Sequence, residues 1–100
     1  MKHFLILFKE PTANDVMSSF QFFEEQKRGL GEKFIKHIDA TLASISKNPT
    51  LFPVRFKEMR EARVRRFPFV ILYEIEEKHV IVYAVFHTTQ SPKKKTTRVR

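Results

Sequence analysis

RVRRFPFVILYEI (residues 63–75) and, four residues further on, VIVYAVFH (residues 80–87) decide how this chain is read. In the first run Phe67, Phe69, Ile71, Tyr73 and Ile75 recur at every second position, with Val70 and Leu72 between them. In the second, Val80, Val82, Ala84 and Phe86 alternate with Ile81, Tyr83, Val85 and His87. Successive side chains of a strand point to opposite faces, so two neighbouring runs of period two predict a β-hairpin. The connection Glu76, Glu77, Lys78, His79 contains no Gly, which argues for a longer loop rather than a two-residue primed turn. Pro68 cannot donate to a ladder, so the start of the first strand is expected to be irregular or to face an edge.

Upstream, the period changes to that of helices. Leu30, Phe34, Ile35, Ile38, Leu42 and Ile45 form one apolar stripe. Ala13, Val16, Met17, Phe20 and Phe23 (or Phe22) form another, with Glu24, Glu25, Lys27 and Arg28 mostly outside it. Thr12 stands before Ala13 with Asp15 three residues on, the spacing of a capping box. Gly29 is expected to close the first helix and Gly31 to permit the reversal into an antiparallel helical hairpin. Asn48 before Pro49 stops the second helix, and Phe52 and Pro53 belong to a connecting loop. Lys2 to Phe8 reads as a first strand, apolar on both faces and so expected to be covered on both, ended by Pro11. The result is an α+β fold: an N-terminal strand, an antiparallel helical hairpin, then a small antiparallel β-sheet of two or three strands.

With 100 residues and no repeat or low-complexity block, the chain is expected to form one domain, with residues 91–100 a mobile tail carrying five basic residues and no acid. The absence of Cys excludes a disulfide framework, a thiolate metal site and a Cys nucleophile, and makes a reducing cytoplasm the default. The apolar run Phe4 to Phe8 is too short for a signal-peptide core or a membrane span, so no membrane partner is expected. Scattered His residues without convergent carboxylates give no metal site. Two glycines at a helix junction give no phosphate loop, and cofactors are expected to be none. Net charge is +8, and its distribution is uneven: residues 1–50 hold 7 Lys and Arg against 6 Asp and Glu, residues 51–100 hold 12 against 5. A field of that sign, concentrated in one half, attracts a polyanionic partner, although such charge also serves solubility.

FFEEQKRGLGEKF (residues 22–34), a helical stretch ending in KNP (47–49), MREARVRRFPFVILYEI (59–75) and VIVYAVFHTTQSPKK (80–94) together resemble the RelE/ParE superfamily of toxins over nearly the whole chain. The resemblance is carried by the GLG-x-x-F junction, the NP stop, an Arg seven residues before an F-P-aromatic strand start, and the strand-ending His, in family order. It implies the toxin of a type II toxin-antitoxin pair, neutralised by a cognate antitoxin. Such toxins arrest growth either by cleaving mRNA on the ribosome, as in the RelE branch, or by poisoning DNA gyrase, as in the ParE branch.

Antiparallel neighbours put the start of one strand beside the end of the next, so His87 is expected near the group Arg60, Arg63, Arg65 and Arg66. Cleavage of RNA by its 2′-hydroxyl needs a proton removed, phosphate charge stabilised and the leaving oxygen protonated. His87 suits the first or third task and Arg60 the second. The alternative for His87 is a sheet-end ring satisfied by a backbone hydrogen bond, and for Tyr73 and Tyr83 it is ordinary core. Arg63, Arg65, Arg66, Lys93, Lys94, Lys95 and Arg98 are candidates for target binding. His3, His37 and His79 read as surface or packing residues. Val70 stands where RelE nucleases carry Arg, Thr88, Thr89 and Gln90 stand where many relatives have Arg, and Lys95 lies near a missing aromatic. These departures favour a ParE-like toxin that is not a nuclease over an mRNA endonuclease, with a non-toxic binding module as a third reading.

Overall fold

The computed structural model describes residues 3–89. Its elements in chain order are β1 (Leu5–Phe8), α1 (Pro11–Gln26), α2 (Leu30–Lys47), a single 3-10 turn (Pro49–Leu51), β2 (Val54–Phe56), β3 (Met59–Arg63), β4 (Phe69–Glu76) and β5 (His79–His87). The five strands form one mixed sheet in the order β1-β5-β4-β3-β2. All neighbours are antiparallel except β1, which runs parallel to β5 with Leu5 opposite His79 and Phe8 opposite Val82. The α+β arrangement of strand, helical hairpin and sheet is the one the periodicities predict.

The helical hairpin backs one face of the sheet. Phe34, Ile38 and Ile45 of α2 meet Ala62, Phe69, Ile71, Tyr73, Val80 and Val82 in the main core, and Val16 and Phe23 of α1 pack against it. A second buried cluster, Met59, Val70, Leu72, Ala84 and Phe86, occupies the other face. Phe23, Phe34, Phe67 and Phe69 form a nest with ring centroids 5.0–5.8 Å apart, mostly edge to face, the arrangement that aromatic quadrupoles prefer.

Several local expectations are corrected. Thr12 and Asp15 do not make a capping box: α1 begins at Pro11 with no side-chain cap. The Thr12 hydroxyl instead donates to the Val82 carbonyl (3.3 Å), and the Val85 N–H donates to Asp15 Oδ2 (3.1 Å). Thr12 thus ties α1 to β5 at Val82, where β1 ends opposite it, and Asp15 ties α1 to the stretch beyond, which β1 does not cover. Reversal between the helices falls to Gly29 at φ 88°, a left-handed conformation cheap only for Gly. Gly31 lies inside α2, where a Cβ would come within 2.8 Å of the Phe20 carbonyl oxygen, so it permits close helix packing. The Glu24 carboxylate accepts the N–H groups of both glycines, at 2.9 and 3.0 Å, and caps α2.

The strands differ from expectation in four ways. β1 is an edge strand whose Leu5, Leu7 and Phe8 are 60, 45 and 55% exposed, so it is not covered on both faces. Phe52 and Pro53 lie in a connection as expected, but β2 and β3 form a further hairpin that no period announced, and Arg60 and Arg63 lie within β3. β4 and β5 join through a two-residue turn, with Glu76 opposite His79 and Glu77 at φ 57°. A register shift also interrupts β4–β5: Tyr73 pairs with Val82 and Leu72 with Ala84, leaving Tyr83 as the extra residue. The alternation of β5 therefore changes phase, Val80, Val82 and Val85 joining the helix-side core while Ala84 and Phe86 join the other face. The expected irregularity at Pro68 is present, since β4 begins one residue later and the Pro68 carbonyl accepts the Thr88 N–H at 2.8 Å. The basic segment 91–100 lies outside the described residues.

Candidate functional site

The ends of β3 and β5 and the start of β4 meet at one corner of the sheet. Arg63 pairs with Val70 and His87 with Phe69, so register places them on flanking strands at the same end. The turn from Val64 to Pro68 closes this corner, with the Val64 N–H donating to the Phe69 carbonyl at 2.9 Å. Phe67 and Phe69 turn into the aromatic nest, which anchors the turn, while Arg63, Arg65 and Arg66 remain exposed. Arg66 sits at φ 69°, a region costly for a side chain other than Gly. No carboxylate of the described residues pairs with any of these three guanidinium groups.

His87 is half-buried, its ring edge-on to Phe69 with centroids 5.2 Å apart. Its Nδ1 accepts the Thr89 N–H at 3.2 Å and lies 2.7 Å from the Thr89 hydroxyl. A backbone N–H only donates, so this arrangement leaves Nδ1 unprotonated and puts the proton of a neutral ring on Nε2. The ring also borders a mainly apolar cleft of about 390 Å³ formed with Ser18, Ser19, Phe22, Phe23 and Phe69.

Arg60 is not part of this corner. It pairs with Tyr73, which is opposite Val82, four residues along β4 from the His87 partner Phe69. At ~3.3 Å per residue that is about 13 Å along the sheet, and His87 lies two strands away besides. Its guanidinium Nη1 donates to the Phe52 carbonyl at 2.6 Å and the Thr50 carbonyl at 3.3 Å. Beside it the buried Tyr73 hydroxyl donates to the Pro49 carbonyl at 2.6 Å. Burial pushes the Tyr73 phenol up to about 12, against the pull of the Arg60 cation. The two side chains thus fasten the 49–52 segment to β3 and β4, and the expected proximity of Arg60 to His87 does not occur.

Of the sequence-predicted site residues, Arg63, Arg65, Arg66 and His87 are brought to one corner, Arg60 is held elsewhere, and Lys93, Lys94, Lys95 and Arg98 lie outside the described residues. Val70, where RelE nucleases carry Arg, is buried on the sheet face away from the helices. The sequence reading missed a cleft of about 300 Å³ between α2 and β3, lined by His37, Thr41, Ser44, Phe52, Arg63 and Arg65. The signal available was the polar row His37, Thr41, Ser44, whose i, i+4, i+7 spacing puts it on one side of a helix.

Helical hairpin, mixed five-stranded sheet and basic corner define a class of small cationic α+β proteins with an exposed apolar sheet edge. The chain belongs to the family described as ParE toxin of type II toxin-antitoxin system, parDE, whose family model matches residues 6–92. Among solved structures it is similar to a chain from the chromosomal ParDE TA system of P. aeruginosa, with a TM-score of 0.75. That likeness covers 85% of this chain and 96% of the other at 11% identity, and so concerns the fold. No curated protein sequence matches the chain.

Proposed function

We propose that this ParE-type toxin arrests growth in the cytoplasm by poisoning DNA gyrase, without cutting message, and that it meets its target through Arg63, Arg65 and Arg66. The observation that carries the reading is the separation of the two groups a nuclease would need together. Arg60 is engaged by backbone carbonyls far along the sheet from His87, whose Nδ1 is engaged by Thr89. Val70 supplies no replacement cation. What the corner offers instead is a set of guanidinium groups without an ion-pair partner among the described residues, on an aromatic base, suited to docking on an anionic surface. The basic residues Lys93, Lys94, Lys95 and Arg98 extend that charge along the chain. A cognate antitoxin masks the toxin in its host.

The test is induction of the chain alone, followed in parallel by DNA-damage response and by protein synthesis, with purified gyrase and purified ribosomes assayed beside it. DNA damage before translation arrest, with inhibited supercoiling and intact message, is the expected result. Ribosome-dependent cleavage of message that is lost in His87→Ala would overturn the reading and restore the nuclease. Arg66→Gly separates function from folding: it removes the left-handed strain, about 1 kcal/mol, so thermal stability is retained or raised while toxicity falls.

A further inference from the structure

The cleft between α2 and β3 has walls of different chemistry. From α2 come His37, Thr41 and Ser44, with the small Ala40 leaving room between them; from the opposite side come Arg63 and Arg65. Phe52 also lines the cleft, half-buried against the main core, its ring edge-on to Tyr73 with centroids 6.4 Å apart. The His37 ring rests on Phe67, 5.5 Å between centroids, so it is held in place. The donor inventory is one-sided. Two guanidinium forks, the Ser44 hydroxyl and at least one His37 ring N–H are available, while the Thr41 hydroxyl already donates to the His37 carbonyl at 2.8 Å. Among the described residues no carboxylate lines the cleft.

We infer that this cleft binds a nucleotide: its phosphate held by Arg63, Arg65, Ser44 and His37, its base lying against Phe52. Planar Arg forks match phosphate oxygens in pairs, which a carboxylate-free lining leaves uncontested. The aromatic ring adds a stacking surface that an acidic peptide would not use and a base would. A volume of about 300 Å³ is at the small end of the usual range of ligand clefts, which fits one nucleotide and excludes a duplex. The inference rests on the reading of Arg63 and Arg65 as anion-binding side chains and adds the ligand class and the α2 wall to it.

The experiment is an NMR titration of the full chain with 5′-AMP, with a 5′-phosphorylated trinucleotide and with a Glu-rich peptide, following the His37 and Phe52 rings and the backbone of residues 37–44 and 63–66. Saturable shifts confined to these groups with AMP are expected. A trinucleotide that binds no tighter than AMP assigns the cleft to a free nucleotide, and a tighter one assigns it to a strand. Arg65→Gln should weaken AMP by on the order of tenfold, whereas Arg28→Gln, which removes the same charge at the helix junction, should change it less than about twofold. Absence of saturation, equal losses in the two variants, or equal binding of the Glu-rich peptide would overturn the inference. The measurement involves neither gyrase nor cells. Growth arrest without nucleotide binding sinks this inference alone, and nucleotide binding without growth arrest sinks the toxin mechanism alone.

Discussion

Single side chains in this protein do more to hold loops than to prepare chemistry. Arg60 donates to two carbonyls of the segment after α2, one of them at 2.6 Å. Arg60→Ala would leave a partly buried carbonyl without its charged donor, and a loss of about 1–3 kcal/mol in urea unfolding is expected. Toxicity of that variant should then track its folded fraction, in contrast with the direct phosphate-stabilising role the sequence suggested. Arg60→Ala as stable as the parent would refute the fastening role. Tyr73 gives a second test through pH. Its phenol has its proton held up to about 12 in the fold, against 10.0 as the ordinary value. The folded state therefore binds more protons above pH 10, so the contribution is complete below that pH and is lost as pH rises toward about 12. Alkaline unfolding followed by circular dichroism should coincide with the tyrosinate absorbance of Tyr73, and ionisation near pH 10 with the fold intact would contradict its burial.

At the scale of elements, the junction of α1 with β5 decides how the helical hairpin sits on the sheet. β1 covers β5 only as far as Val82, and beyond that point the side chain of Asp15 takes the Val85 N–H that a neighbouring strand would otherwise accept. A helix capping one strand edge in this way also limits unwanted strand pairing there. Asp15→Ala should cost about 1–3 kcal/mol, because Val85 is buried and its N–H would be left without this acceptor. Hydrogen exchange should localise the effect, with the Val85 amide losing protection first and Asp15→Asn, which keeps an acceptor, falling between the two. Unchanged Val85 protection in Asp15→Ala would mean that the helix does not close this edge. The extra residue Tyr83 belongs to the same junction, since the phase change it introduces brings Val85 to the helix side.

For the whole molecule, the relevant features are a charge of +8 and apolar surface left uncovered on β1 and α1. Leu5, Leu7 and Phe8 on the edge strand and Met17 and Phe22 on the first helix are exposed. A mostly disordered antitoxin segment is expected to fold onto these surfaces as an amphipathic helix or an added strand, with acidic residues toward Arg63, Arg65 and Arg66. Exposed ion pairs contribute only about 0.2–1 kcal/mol each, so apolar burial supplies most of the affinity and charge acts chiefly on encounter. Raising salt should slow association more than it speeds dissociation, measured as separate rate constants with the cognate antitoxin. An association rate indifferent to salt would remove the basic corner from the antitoxin interface and leave it to the target alone.

What the sequence determined by itself was local and periodic. The two helical stripes, the alternation in residues 67–75 and 80–87, the break at Asn48-Pro49 and the excess of charge in the second half each depend on residues near one another in the chain. Tertiary structure decided whatever depends on a distant partner. Thr12 and Asp15 have the spacing of a helix cap, but their partners in β5 lie 70 residues away. Arg60 is a plausible catalytic cation until β3 pairs with β4 and turns it toward Phe52, and His37 is an ordinary helix residue until β3 brings Arg63 and Arg65 opposite. A short strand such as β2 or β3 carries too few residues to show a period, so its existence rests on the ladder it joins. The clefts and the separation of Arg60 from His87 follow from that pairing, because register between strands sets which side chains meet.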